Sequence, residues 1–178
     1  MKKHIIKVKY LEAALVTLVF ITSLTLYIIK QFSSPLLYGI DCPYYYIQIS
    51  SILNSGVPKY PDPPLSFYIL TAFSIILGDV YAGIKVGSVF ITLLAMYAIY
   101  FLVKKISGST VGALASCIFY AFSPALVRMS FDLIKNSMGL FFLALTMLLC
   151  YLALKKHSFK YSINGLCFLC INRVNTHT

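Results

Sequence analysis

The residues best suited to chemistry in this chain are a few carboxylates and cations set in an otherwise apolar sequence. Asp41 opens the most unusual stretch, GIDCPYYYIQISSILNSG, residues 39–56. A carboxylate held beside a membrane surface can take a proton from a substrate there. The same residue has a plainer use. Aspartate is a good helix N-cap, proline is tolerated in a first turn and glycine is a common stop, so the stretch also reads as a capped helix. Tyr45, Ile49, Ile52 and Leu53 fall on one face at helical spacing, with Gln48, Ser51 and Asn54 elsewhere. The pattern predicts a short amphipathic helix on a membrane surface, its tyrosines at headgroup depth. Both readings of Asp41 stay open at this point.

A bilayer must position these residues. The chain has 178 residues, 60% hydrophobic and 11% charged, with a mean hydropathy of +0.85. A soluble domain of this size cannot hide that much apolar surface. The net charge of +10 would suggest nucleic acid in a soluble protein. Here the lysines cluster at the ends of apolar runs, with no basic groove or nucleic-acid motif, so membrane topology explains them instead. The fold class is all-α integral membrane.

The first span is expected from about Tyr10 to Ile29, preceded by Lys2, Lys3, Lys7 and Lys9. It is too long for the apolar region of a signal peptide and lacks a small-residue cleavage site, so it reads as an uncleaved helix with its N-terminus in the cytoplasm. The polar first loop, residues 30–80, includes the run Leu65 to Leu77, whose length suits an interfacial helix. With that run on the outer interface, spans at 82–103, 111–127 and 138–154 bring Lys104, Lys105, Lys155, Lys156 and His157 to the cytoplasmic side. The outer side then collects Asp41, Asp62, Asp79, Lys85, Arg128, Asp132 and Lys135. This gives about four transmembrane helices and two outer juxtamembrane helices. Residues 1–156 form one module, and residues 157–178 read as an incomplete fifth span and a frayed tail, as truncation would produce. The five cysteines suggest buried thiols and no disulfide framework. With His4, His157 and His177 on the inner side or in the tail, a metal site has no local support.

The order GIDCPYYYIQISSILNSG, PDPPLSFYILTAFSIILGD, GIKVGSVFITLLAMYAIYFLVKKISGS and ALASCIFYAFSPALVRMSFDLIKNSMGLFFLAL resembles the N-terminal portion of GT-C membrane glycosyltransferases. The resemblance is greatest to the branch of protein O-mannosyltransferases and aminoarabinose transferases, and runs from Val8 to about Lys156. It implies transfer of a sugar from a polyprenyl-phosphate carrier to a protein, lipid or glycan acceptor on the outer side, with the plasma membrane as the expected location. Asp41 matches the first-loop aspartate that serves as catalytic base or orients the acceptor. Asp132 matches a second outer acidic position, and has the alternative reading of an N-cap for the fourth span. Arg128, Lys85 and Lys135 are the candidates for gripping the donor phosphate, Arg128 foremost because its fork suits phosphate oxygens. Each has an alternative reading as a snorkelling or headgroup-contacting side chain. No cofactor is called for by the residues themselves, and a divalent metal is admitted only for a complete enzyme. Two departures stand out: members have many more spans, and Cys42 follows Asp41 where some members have glutamate.

Two other classes compete with an enzyme. One is a non-enzymatic small membrane subunit or inactive remnant, whose outer acidic loop only contacts partners. The other is half of a transporter, disfavoured because the spans carry few polar residues at mid-depth.

Overall fold

The computed structural model describes residues 2–39 and 41–156, with side chains from residue 10 to residue 155. The expected incomplete fifth span, with Cys167, Cys170, His157 and His177, lies outside the described residues, as does the side chain of His4. The described residues form helices only: α1 (Lys2–Phe32), α2 (Cys42–Ser55), α3 (Leu65–Leu77), α4 (Val80–Ser107), α5 (Thr110–Ala121), α6 (Pro124–Asp132) and α7 (Ile134–Lys156). Tyr10–Phe32, Val80–Ser107 and Ile134–Lys155 are long and apolar enough to cross a membrane, and α5 with α6 meets the same criteria when the bent pair is taken together. The chain is an all-α integral membrane protein.

Helix α4 is the centre of the bundle and packs against all six others. Its inner face carries Val89, Leu93, Met96 and Tyr100 against Val16, Phe20 and Tyr27 of α1 and Ala113, Cys117 and Ala121 of α5. Ala95, Ala98 and Ala144 let α4 and α7 approach closely, as small residues do between helices in lipid. One buried polar contact crosses that seam, Thr92 Oγ1 donating to Ser137 Oγ at 3.0 Å.

The ends of the helices establish the relative topology. At the start of α4, Lys85 donates to the carbonyls of Ser34 and Pro35, just past α1. At its far end Lys104 and Tyr100 bond Glu12, near the beginning of α1, and Thr110 of α5 bonds the same carboxylate. So α1 and α4 run antiparallel, and α2 and α3 both belong to one end. Helix α3 does not cross: 13 residues reach only about 20 Å against a core of about 30 Å. Tyr151 of α7 donates to the Lys105 carbonyl, so Lys104, Lys105 and Lys155 gather at the end opposite Asp41.

Helix α3 lies against α4 where two glycines remove side chains. A Cβ on Gly83 would meet Ser74 atoms at 2.1–2.5 Å, and one on Gly87 would meet Leu70 and Phe73 at 3.0 Å.

Two sequence expectations need correction. The span expected at 111–127 is broken, and α5 and α6 meet at a 46° bend. Pro124 lacks the N–H that would continue the ladder and pushes Ser123 into extended backbone (φ −67°, ψ 124°). The freed Ala121 carbonyl accepts the Tyr27 hydroxyl at 3.0 Å, which satisfies it inside the bundle. On α2, Gly56 does end the helix in the left-handed region, but the faces differ from the expected pattern. Gln48 is fully buried and Leu53 is exposed, because Gln48 holds both the N–H and the carbonyl of Tyr60 at 3.0 and 3.1 Å. Tyr45 also turns inward, into the cluster of Ile49, Ile52, Phe67, Leu70 and Met138, so of the three tyrosines only Tyr46 is exposed.

The α3–α4 seam can be tested directly. Gly83→Ala should destabilise the detergent-solubilised protein by about 1–3 kcal/mol, as overpacking does. Gly139→Ala has nothing within 4 Å of the added carbon. It should leave stability unchanged or raise it by up to about 1 kcal/mol through helix propensity. Thermal unfolding followed by circular dichroism compares them, and equal midpoints would contradict the close seam.

Candidate functional site

The loop from α1 to α2 brings Asp41 to the end of α6. Gly39 has φ +92°, and a Cβ there would lie 3.0 Å from the Asp132 Cα and 3.1 Å from the Phe131 carbonyl. Both the backbone conformation and the space therefore require glycine at this crossing. Tyr38 stacks on Phe131 at 5.6 Å between centroids, and Gln31 donates to the Ser130 carbonyl at 3.4 Å.

Asp41 does not cap α2. Its backbone is helical (φ −81°, ψ −2°), and its carboxylate makes no capping bond. The Asp41 carbonyl accepts from the N–H groups of Tyr44 and Tyr45. The carboxylate is exposed and lines an open cavity of about 620 Å³ with Gly39, Arg128, Asp132, Ala125, Met129 and Leu133.

Asp132 is the last residue of α6, and it does not cap α7 either. Its carboxylate pairs with Arg128 Nε at 3.5 Å, one helical turn back, and the Arg128 side chain is 86% exposed. Such an exposed pair is worth about 0–1 kcal/mol, so a ligand bearing a full negative charge can displace the aspartate from the guanidinium. Three of the five residues singled out by sequence, Asp41, Asp132 and Arg128, thus meet at one cavity.

The other two are committed elsewhere. Lys85 is buried, with Nζ 2.6 Å from the Ser34 carbonyl and 3.3 Å from that of Pro35, and 5.0 Å from the Phe32 ring centre. Lys135 pairs with Asp62 at 2.5 Å. Among the described residues, no group of three or more His, Cys, Asp or Glu is placed to hold a metal ion.

Residues 61–171 match the family described as dolichyl-phosphate-mannose-protein mannosyltransferase. That is more than half of the chain. It belongs to this family. No curated protein and no solved structure matches the chain. The family is of the GT-C type, and membership gives the chain, in general terms, sugar transfer from a dolichyl- or polyprenyl-phosphate donor, with protein as the acceptor class. The matched segment contains Lys85, Arg128, Asp132 and Lys135, while Asp41 precedes it.

The sequence reading missed two features around this cavity. One is the bend at Pro124, whose signal was present in SPAL. The other is Asp62, which accepts from Tyr44 Oη at 2.7 Å as well as from Lys135.

The carboxylates also act on their neighbour Cys42. Burial, then the charges of Asp132 and Asp41, push its thiol up to about 11, with Lys85 opposing. At pH 7–8 this leaves a thiolate population about 100-fold below that of an ordinary thiol. Alkylation of Cys42 should therefore be slow at neutral pH and climb with pH toward 11. In Asp132→Asn or Asp41→Asn it should be faster at every pH below that. Mass spectrometry of the alkylated protein measures the rates, and rates identical to wild type in both variants would remove the carboxylates from the thiol's surroundings.

Proposed function

We propose that the chain transfers a sugar from a polyprenyl-phosphate donor to a protein hydroxyl in the cavity shared by Asp41, Arg128 and Asp132. The acceptor O–H gives its proton to the Asp41 carboxylate as its oxygen attacks the anomeric carbon. The bond from that carbon to the phosphate oxygen breaks, and its electron pair leaves with the polyprenyl phosphate. Arg128 takes the phosphate, since a planar guanidinium can offer two parallel donors to its oxygens. Asp132 holds the guanidinium in place until the donor arrives. Lys85 and Lys135 serve the frame, because their ammonium groups already have partners.

The observation that carries this reading is the convergence. Asp41 and the Arg128–Asp132 pair come from distant parts of the chain and line one cavity. The orientation belongs to the same proposal: the end with Lys104, Lys105 and Lys155 is cytoplasmic by the positive-inside rule. The cavity then opens on the outer side of the plasma membrane.

The test is transfer from dolichyl- or polyprenyl-phosphate mannose to a serine- and threonine-containing peptide, in membranes holding the full chain. Asp41→Asn should lower turnover by about 10²–10⁴, the worth of a general base. The fold should survive, since this carboxylate makes no capping bond. Arg128→Gln should weaken donor binding about 10- to 100-fold, as loss of charge-assisted hydrogen bonds does. Near-normal turnover in Asp41→Asn would overturn the assignment of the base. Absence of transfer by the wild type would favour the alternative, a non-enzymatic membrane subunit.

A further inference from the structure

The residues one helical turn beyond each cavity carboxylate are tied together by a group outside the cavity. Tyr44 and Tyr45 lie three and four residues after Asp41, and Lys135 lies three residues after Asp132. The Asp62 carboxylate accepts from Tyr44 Oη at 2.7 Å and from Lys135 Nζ at 2.5 Å. Tyr45 Oη accepts the backbone N–H of Lys135 at 3.1 Å. The Asp62 and Lys135 side chains are only 16% and 34% exposed, and the Lys135 ammonium sits 5.6 Å from the Phe67 ring centre.

The loop that supplies Asp62 is itself fixed. Gln48 holds both polar backbone groups of Tyr60, and the Tyr44 and Tyr60 rings stack at 6.0 Å. Among the described residues, these polar contacts and the Gly39 crossing join the α2 region to the α6–α7 junction alongside the apolar packing of Tyr45, Ile49 and Ile52 with Ile134 and Met138.

We propose that Asp62 is a positioning residue: by binding Tyr44 and Lys135 together it sets the distance between the segments that carry Asp41 and Asp132. A carboxylate suits this role. It is an acceptor with several lone-pair sites, so one side chain can take a phenol and an ammonium simultaneously. Because both partners are charged or polar and largely withdrawn from solvent, loss of the carboxylate leaves two donors without their acceptor. The segments then separate, or rearrange to reach water. The assignment rests on Asp41 and Asp132 being the working carboxylates, and the experiment separates its failure from failure of that reading.

Spin labels carried by unnatural amino acids at the exposed positions 43 and 136 would report the distance between α2 and the start of α7 in lipid nanodiscs. Pulsed electron resonance should give one narrow peak for the otherwise native chain. Asp62→Ala and Lys135→Met should each shift or broaden it. The exchanged pair, Asp62→Lys with Lys135→Asp, should restore it, since the Tyr44 hydroxyl can accept from a lysine as it donates to a carboxylate. Sugar transfer should fall about 100-fold in the single variants, the scale expected when reacting groups are misplaced by about 1 Å, and recover in the exchange. Should Asp62→Ala fail to fold, Asp62→Asn, which keeps an acceptor for Tyr44 and loses the charge, gives the same reading at smaller amplitude. An unchanged peak in the folded single variants would overturn the proposal, whatever Asp41→Asn does to transfer. A shifted peak in a chain whose transfer survives Asp41→Asn would leave Asp62 as the spacer and sink the catalytic assignment of Asp41.

Discussion

A buried ammonium anchors this architecture. Lys85 lies inside the bundle with its charge on the carbonyls of Ser34 and Pro35. Burying a cation without partners is prohibitively unfavourable, so these contacts are obligatory once the helix packs. They fasten the exit of α1 to the entrance of α4. The intervening loop must therefore leave and return at the same end of the bundle, and α2 and α3 lie there as a consequence. The Glu12 cluster does the converse at the far end, joining α1, α4 and α5 through Lys104, Tyr100 and Thr110. Asp41 reaches the end of α6 because its loop starts from a fixed point and crosses at Gly39, where no side chain fits.

The bend at Pro124 has a comparable effect on the other half of the cavity. A straight helix from Thr110 to Asp132 would keep its ladder intact and need no help from α1. The bent one leaves the Ala121 carbonyl to the Tyr27 hydroxyl. In hydrocarbon such groups must be satisfied within the protein. Tyr27 thus stabilises a break that lets α6 take a direction of its own. Arg128 and Asp132 ride on α6 and pair across one of its turns, so the bend decides where their charges face.

The sequence and the structure agree on the placement of most elements that local composition governs. Apolar runs give the spans, Gly56 ends α2, and the short run 65–77 stays at one end of the bundle. Family and fold class were legible too, from ordered motifs that the family match supports over 61–171. What could not be read were contacts between distant segments. The pattern on α2 placed Gln48 outside because glutamine is polar, yet its two functional groups match the two backbone groups of Tyr60. Lys85 and Lys135, candidates for the donor phosphate by sequence, have partners no local pattern shows: backbone carbonyls and an aspartate far away in the chain. Periodicity ranks residues by polarity, whereas burial here is decided by whether a partner is waiting.

Asp41 shows the same principle in reverse. Its position before a helix with proline in the first turn made capping the economical reading, and a cap of this kind is typically worth about 1 kcal/mol. Capping requires extended backbone, and Asp41 is helical at φ −81° and ψ −2°. The chain therefore forgoes a local gain that was available to it. Its carbonyl closes the first turn, and the carboxylate is left for the cavity that also holds Arg128 and Asp132. A residue that gives up a favourable local interaction, at a crossing that demands glycine two positions earlier, is where natural sequences tend to favour function over local stability. That conjunction separates Asp41 from the other aspartates at this end. Asp79 caps α4, with Oδ2 2.6 Å from the Ala82 N–H, and Asp62 is held between Tyr44 and Lys135. Asp132 is ion-paired with Arg128, so among the described aspartates Asp41 alone has a carboxylate with neither a hydrogen bond nor an ion pair.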